Sequence, residues 1–302
     1  MKKIRIKQID SFTAEPFSGN PAGVVTTASG LTVKQMRLIA REMNLSETAF
    51  VLPPKTPSAD MRIRWFTPTS EVNLCGHATI AAFHGLAEEE KYGMSRPGKF
   101  NFKIETKSGI LPISVKKEVD ALTLVYFGLP VPVFENVLFD SEKLAMALKT
   151  KSDNFDFKYD LAKDSFQLIL PIKTKEQLFA IKPNYFEIEN ICRKLKVSAL
   201  TVFTTDTVDS ESAVHTRCFV PLLGVNEDPV TGSSQGPLGI YLAEQNIVKG
   251  SSGNYSYIGE QGDCLEKAGR VRVEFKKTKD GYKNLQIIGT AVTVLAGEIY
   301  LS

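Results

Sequence analysis

Three residues that can transfer protons stand near one another in the first half of the sequence. Glu47 follows Ser46 and opens an apolar run, while Cys75 and His77 flank Gly76 just before a long apolar stretch. A carboxylate partly withdrawn from water suits general acid/base catalysis, and imidazole titrates near neutrality. A thiol that precedes a helix can act as a nucleophile or base. The three residue types therefore predict proton-transfer chemistry.

The second half of the sequence repeats this segment with different polar groups. Residues 36–76 align with residues 188–232, and each copy ends in a Gly-led turn into an apolar helix. Ala199 occupies the position of Glu47, so the fold does not need an acid there. The second copy offers Asp228 and Ser233 instead. Two similar halves with dissimilar polar groups predict one asymmetric site at their junction.

Each Gly-led turn is a candidate anion site, at Gly76-His77 and at Gly232-Ser233-Ser234. Pro237 lacks an N–H, so it should lie in about the first turn of its helix, leaving the amides of Ser233 to Gly236 pointing out of the helix end. Aligned amides and the positive end of the helix dipole bind carboxylate or phosphate. The alternative is that the glycines merely permit a tight turn and that Ser233 caps a helix.

Other interpretations of the same residues remain open or fail. Cys75 could act as a nucleophile or base, but a two-thiol racemase needs a second cysteine where the sequence has Thr231. Asp228 could simply form a turn before Pro229. His84 is expected to be structural. His215 precedes a predicted strand and has no assigned role.

Composition limits the class of protein. The chain has 302 residues, 43% of them apolar and 24% charged, with a net charge of +3 that is spread along the sequence. These values are typical of a globular protein with two domains of ordinary size, and they give no sign of nucleic-acid binding. No signal peptide or membrane span is recognisable, and the four cysteines lack metal-ligand spacing. A cytoplasmic, reduced protein is expected.

Local patterns predict an α+β fold of two pseudo-symmetric lobes. Thr32 and Gln35 have capping-box spacing before a helix from Val33 to Met43, and Asn184 could cap its counterpart. The helices after the glycines, residues 77–87 and 236–243, are apolar nearly all round and should be buried, each within a strongly curved sheet of short strands. We expect an N-terminal lobe over residues 1–128, with or without a C-terminal strand at 292–302, and a C-terminal lobe over residues 129–302.

The sequence resembles the PhzF family, the phenazine-biosynthesis isomerase group, which shares the diaminopimelate epimerase fold. Five segments carry the resemblance and span most of the chain: Asp10-Ser-Phe-Thr-Ala-Glu-Pro-Phe-Ser-Gly-Asn-Pro-Ala-Gly-Val24, Leu45-Ser-Glu-Thr-Ala-Phe50, Arg64-Trp-Phe-Thr-Pro68, Leu74-Cys-Gly-His-Ala-Thr79 and Glu227-Asp-Pro-Val-Thr-Gly-Ser-Ser-Gln-Gly-Pro-Leu238. The resemblance implies a homodimer with no metal and no organic cofactor. It also implies functional roles for Glu47, His77, Asp228 and Ser233.

The sequence thus favours a cofactor-independent isomerase that moves a proton on a small carboxylate substrate. Glu47 would be the general acid/base, assisted by Asp228 and His77, and the anion would lie against Gly76, Gly232, Ser233, Ser234 and Cys75. One alternative is an epimerase or racemase assisted by Cys75. The other is a metabolite-binding protein that keeps the fold and turns nothing over. The sequence does not identify the substrate.

Overall fold

The computed structural model describes residues 2–119 and 122–301. The strands are β1 (Lys2–Ser11), β2 (Asn20–Val25), β3 (Glu47–Leu52), β4 (Met61–Phe66), β5 (Glu71–Val72), β6 (Gly98–Thr106), β7 (Gly109–Lys117), β8 (Leu124–Gly128), β9 (Glu135–Asn136), β10 (Ala162–Lys163), β11 (Gln167–Pro171), β12 (Ala199–Thr204), β13 (Val214–Val220), β14 (Val225–Asp228), β15 (Asn254–Gln261), β16 (Gly269–Thr278), β17 (Gly281–Gly289) and β18 (Ala291–Leu301). The helices are α1 (Val33–Met43), α2 (Gly76–Glu88), α3 (Ser141–Leu148), α4 (Lys175–Phe179), α5 (Tyr185–Leu195) and α6 (Gly232–Glu244).

The chain forms two compact units. Unit 1 comprises the described residues of Met1–Gly128 and Ile288–Ser302, and unit 2 comprises Leu129–Ile287. The C-terminal strand belongs to unit 1 because β18 pairs antiparallel with β1 along its whole length, from Lys2 opposite Leu301 to Ser11 opposite Ala291. Unit 1 is therefore built from both ends of the chain.

In unit 1 a curved sheet surrounds the helix α2. The strand pairs run in the order β18, β1, β2, β3, β4, β6, β7 and β8, with β2–β3 and β4–β6 parallel. Strands from both ends of this order, β18 and β8, contact α2. Every residue of α2 except His84 and Glu88 is buried, which a helix enclosed by a sheet requires. The expected α+β fold is confirmed.

Helix α1 covers the outer face of the same sheet. It runs from Val33 to Met43, and its capping box is complete: Thr32 accepts from the Gln35 amide, and the Gln35 side chain accepts from the Thr32 amide. Both the bounds and the cap agree with the sequence prediction. Met36, Ile39 and Ala40 face the strands and are buried, so the apolar stripe of the helix completes a second core layer.

Unit 2 repeats this arrangement. The pair β11–β12 is parallel, β12–β13 is antiparallel and β13–β15 is parallel, in the same succession as β2–β3, β3–β4 and β4–β6. Helix α5, with Asn184 as its N-cap, corresponds to α1, and α6 corresponds to α2. All residues of α6 except Ser233 and Glu244 are buried.

One local prediction is wrong. Helix α6 begins at Gly232, so Pro237 is its sixth residue and lies beyond the first turn. A proline there loses one intrahelical hydrogen bond and typically costs about 3 kcal/mol. The helix continues past it because it is buried on nearly every side, and packing of Leu238, Ile240 and Leu242 opposes that cost.

Each unit also contains its own Arg–Glu ion pair, which the aligned segments of the sequence do not predict. Arg64 makes a two-pronged bond to Glu71, with both N···O distances 2.7 Å, and Arg217 does the same with Glu227. Each guanidinium also lies over the phenylalanine two residues later, Phe66 or Phe219. The two acids do not align in the sequence repeat, because Glu71 stands seven residues from Arg64 and Glu227 stands ten residues from Arg217.

Across residues 2–119 and 122–301, none of the helices has both the length and the apolar character needed to cross a membrane.

Candidate active site

Three of the sequence candidates come together in unit 1. The imidazole of His77 has a different partner on each edge: the Sγ of Cys75 lies 3.6 Å from Nδ1, and the Oε2 of Glu47 lies 3.4 Å from Nε2. The hydroxyl of Ser46 lies 3.3 Å from the same Nε2. We refer to Cys75, His77 and Glu47 as the proton-transfer row. Ser46 was not among the sequence candidates, although its position beside Glu47 could have suggested it.

Secondary structure fixes the backbone of this row. Glu47 is the first residue of β3, opposite Ala22 of the parallel strand β2. Cys75 and His77 are the N-cap and second residue of α2. The hydroxyl of Ser11 donates to the His77 carbonyl at 2.8 Å, and that of Thr79 donates to the Cys75 carbonyl at 2.6 Å. Both hydroxyl residues are fully buried, so the row rests on a rigid support.

Burial determines the charge of the imidazole. His77 is only 6% exposed, and desolvation lowers its pKa to about 3. The ring is therefore neutral above this pH and carries one proton on one of its two nitrogens. A neutral imidazole can donate a hydrogen bond to the Glu47 carboxylate without forming an ion pair with it.

The same three side chains are the only set of metal-ligand type recognised within residues 2–119 and 122–301. Their donor atoms lie within 4.8 Å of one another. Thiolate, imidazole and carboxylate are ligands that zinc accepts. However, the sulfur is nearest Nδ1 and the carboxylate is nearest Nε2, on opposite edges of the ring. This geometry favours a hydrogen-bonded row over three ligands that converge on one ion.

The start of α2 adds a positive field beside the row. Gly76 and His77 are its first two residues, and amides at these positions have no partner within a helix. The Cys75 side chain does not cap the helix, and the first turn contains no acidic residue. The amides of Gly76 and His77 and the positive end of the helix dipole can therefore stabilise a negative charge near the start of α2, which we call its open end.

Asp228 marks the corresponding helix start in unit 2. It ends β14, and its Oδ2 accepts a 2.6 Å hydrogen bond from the hydroxyl of Thr231, the N-cap of α6. The side chain of Gln261 donates to the Asp228 carbonyl at 2.7 Å and accepts from the Thr231 amide at 3.1 Å. The carboxylate is thus held at the beginning of α6 by the hydroxyl of its N-cap residue.

Ser234, one of the predicted anion-binding residues, differs from expectation. The amides of Ser234 and Gln235 both donate to the Thr231 carbonyl, at 3.1 and 3.0 Å, because α6 begins four residues earlier than predicted. This leaves Gly232 and Ser233 as the residues at the open end. The hydroxyl of Ser234 is buried between Gln167 and Thr201 and links these strands, so its side chain supports the fold.

The remaining histidines lie outside the row. His84 contacts Glu88 one turn further along α2, at 3.1 Å. His215 lies inside β13 and not before it, fully buried, with Nδ1 2.9 Å from the equally buried Glu260. Glu260 in turn accepts hydrogen bonds from the amides of Val208 and Asp209, which ties a loop to the sheet. No sequence motif indicates this pair, because its members are 45 residues apart along the chain.

Two of the four cysteines are buried thiols in unit 2. Cys192 and Cys218 lie in the core of unit 2, and burial raises the pKa of each to about 12. Neither thiol ionises near neutral pH, so reactive thiol chemistry is confined to Cys75 and the partly exposed Cys264 among the four cysteines.

Comparison with solved structures identifies the class of fold. A hydroxyproline epimerase from Agrobacterium vitis superimposes with a TM-score of 0.64 over 99% of this chain and 91% of that one. At 13% identity the match concerns the fold alone. A fold of the epimerase type agrees with the two similar units, each with a central helix.

The family follows from closer relatives. The family model for phenazine biosynthesis-like proteins, PhzC-PhzF, matches residues 9–297, so the chain belongs to this family. It is 38% identical over 307 aligned positions to an uncharacterised isomerase of Clostridium acetobutylicum, with 100% of both chains covered. A PhzF-family phenazine biosynthesis protein of Bacillus anthracis shares 32% identity and a TM-score of 0.90, again over 100% of both chains.

Proposed function

We propose that this protein is an isomerase that moves a proton on a small carboxylate substrate, with Glu47 as the general acid/base and without a cofactor. The observation that supports it most strongly is the contact between the half-buried Glu47 carboxylate and the neutral imidazole of His77, beside the open end of α2. The names of relatives as uncharacterised isomerases agree with this proposal.

The reaction proceeds through a delocalised anion. The carboxylate of Glu47 takes a proton from a substrate carbon, and the electron pair of the broken C–H bond spreads into the conjugated substrate carboxylate. The protonated Glu47 then returns the proton to a different carbon, so the double bond moves and no atom is gained or lost. A base held close to the carbon supplies about 10²–10⁴-fold of the rate.

The substrate anion needs stabilisation because charge develops on it as the proton leaves. The amides of Gly76 and His77 are the groups of unit 1 that we assign to this task, and Gly232 and Ser233 occupy the same place at the start of α6 in unit 2. Preorganised amides gain strength as charge accumulates in the transition state. His77 assists by donating to Glu47, and Asp228 has the corresponding place beside the start of α6 in unit 2.

A second candidate is an epimerase or racemase in which Cys75 takes part. The observation in its favour is the 3.6 Å contact of the thiol with Nδ1 of His77, which could accept the thiol proton. Against it, Cys75 is 8% exposed, and the position that corresponds to it in α6 is Thr231. A protein that only binds a metabolite is the third candidate.

Solvent-deuterium exchange distinguishes these functions. The protein is incubated in D₂O with a panel of small carboxylates, including β,γ-unsaturated and α-chiral acids, and products are followed by proton NMR. Deuterium uptake with a displaced double bond supports the isomerase, and uptake with inversion at one carbon supports the epimerase. Ligand binding without exchange in any panel member contradicts both enzymatic assignments. Heat-denatured protein serves as the control for uncatalysed exchange.

A further inference from the structure

Cys75 faces the one nitrogen of His77 that Glu47 does not. Its sulfur lies 3.6 Å from Nδ1, whereas the Glu47 carboxylate and the Ser46 hydroxyl lie 3.4 and 3.3 Å from Nε2. A neutral imidazole has one N–H and one lone pair, so it donates on one edge and accepts on the other. The partners on the two edges therefore determine the tautomer together.

The ring nitrogen that faces Glu47, Nε2, must be a hydrogen-bond donor. An ionised carboxylate can only accept hydrogen bonds, so a lone pair on Nε2 would face a negative oxygen at 3.4 Å. A proton on Nε2 turns this repulsion into a charge-assisted hydrogen bond. The hydroxyl of Ser46 adapts to either tautomer, since it can donate or accept.

With the proton on Nε2, the nitrogen that faces Cys75, Nδ1, carries the lone pair. A thiol is a weak donor and can supply the missing hydrogen, whereas a thiolate would face the lone pair with a negative charge. Cys75 and His77 are 8% and 6% exposed, so water has little access to replace the thiol.

We propose that Cys75 is a positioning residue: its S–H donates to Nδ1 of His77 and holds the imidazole in the Nε2–H tautomer that donates to Glu47. The thiol stays protonated and does not itself remove a proton from substrate. The importance of this arrangement for turnover rests on the proposed function, whereas the tautomer of His77 is a property of the free protein.

Nitrogen NMR of the free protein reads the tautomer directly. The chain contains only three histidines, so ¹⁵N-histidine labelling gives three ring systems, and His77→Gln identifies the signals of His77 by their loss. At pH 7 we expect a protonated Nε2 and an unprotonated Nδ1 with widely separated nitrogen shifts. A protonated Nδ1 in the wild-type protein would overturn the proposal and favour a thiolate at Cys75.

Variants of the cysteine test whether the thiol holds the tautomer. Cys75→Ala removes the donor and leaves the buried Nδ1 lone pair without it, so we expect the two nitrogen shifts of His77 to move toward each other as a second tautomer appears. Cys75→Ser keeps a donor and should restore the wide separation. Cys192→Ala, a buried thiol in the core of unit 2, is the matched control and should leave His77 unchanged.

Other outcomes of these measurements would contradict either the role of the thiol or the proposed function. A His77 spectrum that is identical in Cys75→Ala and the wild type shows that Glu47 alone sets the tautomer, which contradicts the role of the thiol. If Cys75→Ala does not fold, the wild-type spectrum and Cys75→Ser still decide. The expected spectra combined with full turnover of a Glu47→Gln variant would refute the proposed function and leave the tautomer assignment standing.

Discussion

At the scale of single residues, the charge of one buried imidazole governs the candidate site. His77 has a carboxylate on one edge and a thiol on the other, yet burial keeps the ring neutral because its pKa falls to about 3. An imidazolium beside Glu47 would hold that carboxylate as a tightly paired, weak base. The neutral ring orients Glu47 without neutralising it, which suits the general acid/base role that we propose for Glu47.

The lowered pKa of His77 predicts a pH dependence of stability. Because the folded-state pKa of about 3 lies below the ordinary 6.5, protonation favours the unfolded chain. Above pH 6.5, His77 is neutral in both states and the protein keeps its full free energy of unfolding. As the pH falls from 6.5 toward 3, the free energy of unfolding decreases by at most about 1.4 kcal/mol per pH unit. Urea unfolding of the wild type and of His77→Gln between pH 7 and pH 4 measures it.

The variant isolates the histidine from the carboxylates that also titrate in this range. The stability difference between wild type and His77→Gln should shrink steadily as the pH falls from 6.5. A difference that stays constant down to pH 4 would show that His77 is not buried in its neutral form.

At the scale of elements, the central helices depend on close contact with the surrounding strands. In α6, a Cβ at Gly239 would lie 2.5 Å from a ring carbon of Tyr257 and 3.2 Å from side chains of Phe275 and Val273. The ring of Tyr257 cannot easily move, because it is buried and its hydroxyl donates to the Gln235 carbonyl. The helix therefore touches the sheet at this glycine.

Substitution of this glycine predicts a loss of stability despite better helix propensity. Gly239→Ala should destabilise the protein by about 1–3 kcal/mol, because overpacking of a rigid core outweighs the smaller propensity gain. The change in the urea midpoint measures it. Gly297→Ala in β18, where a Cβ meets nothing within 4 Å, is the control and should be neutral or slightly stabilising. A stable Gly239→Ala variant would contradict the close packing.

The repeated Arg–Glu pairs give a second test at this scale. Arg217 and Glu227 have side chains that are each 7% exposed, and Arg217 also donates to the carbonyls of Leu178 and Ile181. Arg217→Met leaves a buried carboxylate without its partner and should cost about 3–5 kcal/mol.

Its counterpart in unit 1 provides the comparison. Arg64→Met should cost less, because Glu71 keeps Lys107 at 2.9 Å and the pair is more exposed, at 16% and 11%. Urea unfolding of both variants gives the two values. Equal losses, or a larger loss for Arg64→Met, would contradict the argument from burial.

The limits of sequence-based prediction also show at this scale. The capping box of α1 was predicted because it is local: Thr32 and Gln35 are three residues apart. The start of α6 was not, because burial by distant strands lets a helix continue through Pro237. The His215–Glu260 pair and the role of the Ser234 hydroxyl likewise depend on contacts between residues that are 45 and 67 positions apart.

At the scale of the whole molecule, the two units repeat one fold but carry different polar residues at corresponding positions. The two units repeat the same succession of parallel and antiparallel pairs and the same buried helix, and this was visible in the aligned segments of the sequence. Within each unit the chemistry differs: β3 begins with Glu47, whereas β12 begins with Ala199, which is fully buried. A glutamate in one copy alone indicates a function rather than a need of the fold.

The central claim is that Glu47 carries the proton, and one comparison tests it most directly. The rate of deuterium uptake from D₂O into the responsive carboxylate is measured for wild type, Glu47→Gln and Glu42→Gln, the last being an exposed glutamate of α1. We predict that Glu47→Gln lowers the rate by at least about 100-fold with little change in unfolding midpoint, while Glu42→Gln exchanges at the wild-type rate. Wild-type exchange by Glu47→Gln would contradict the account.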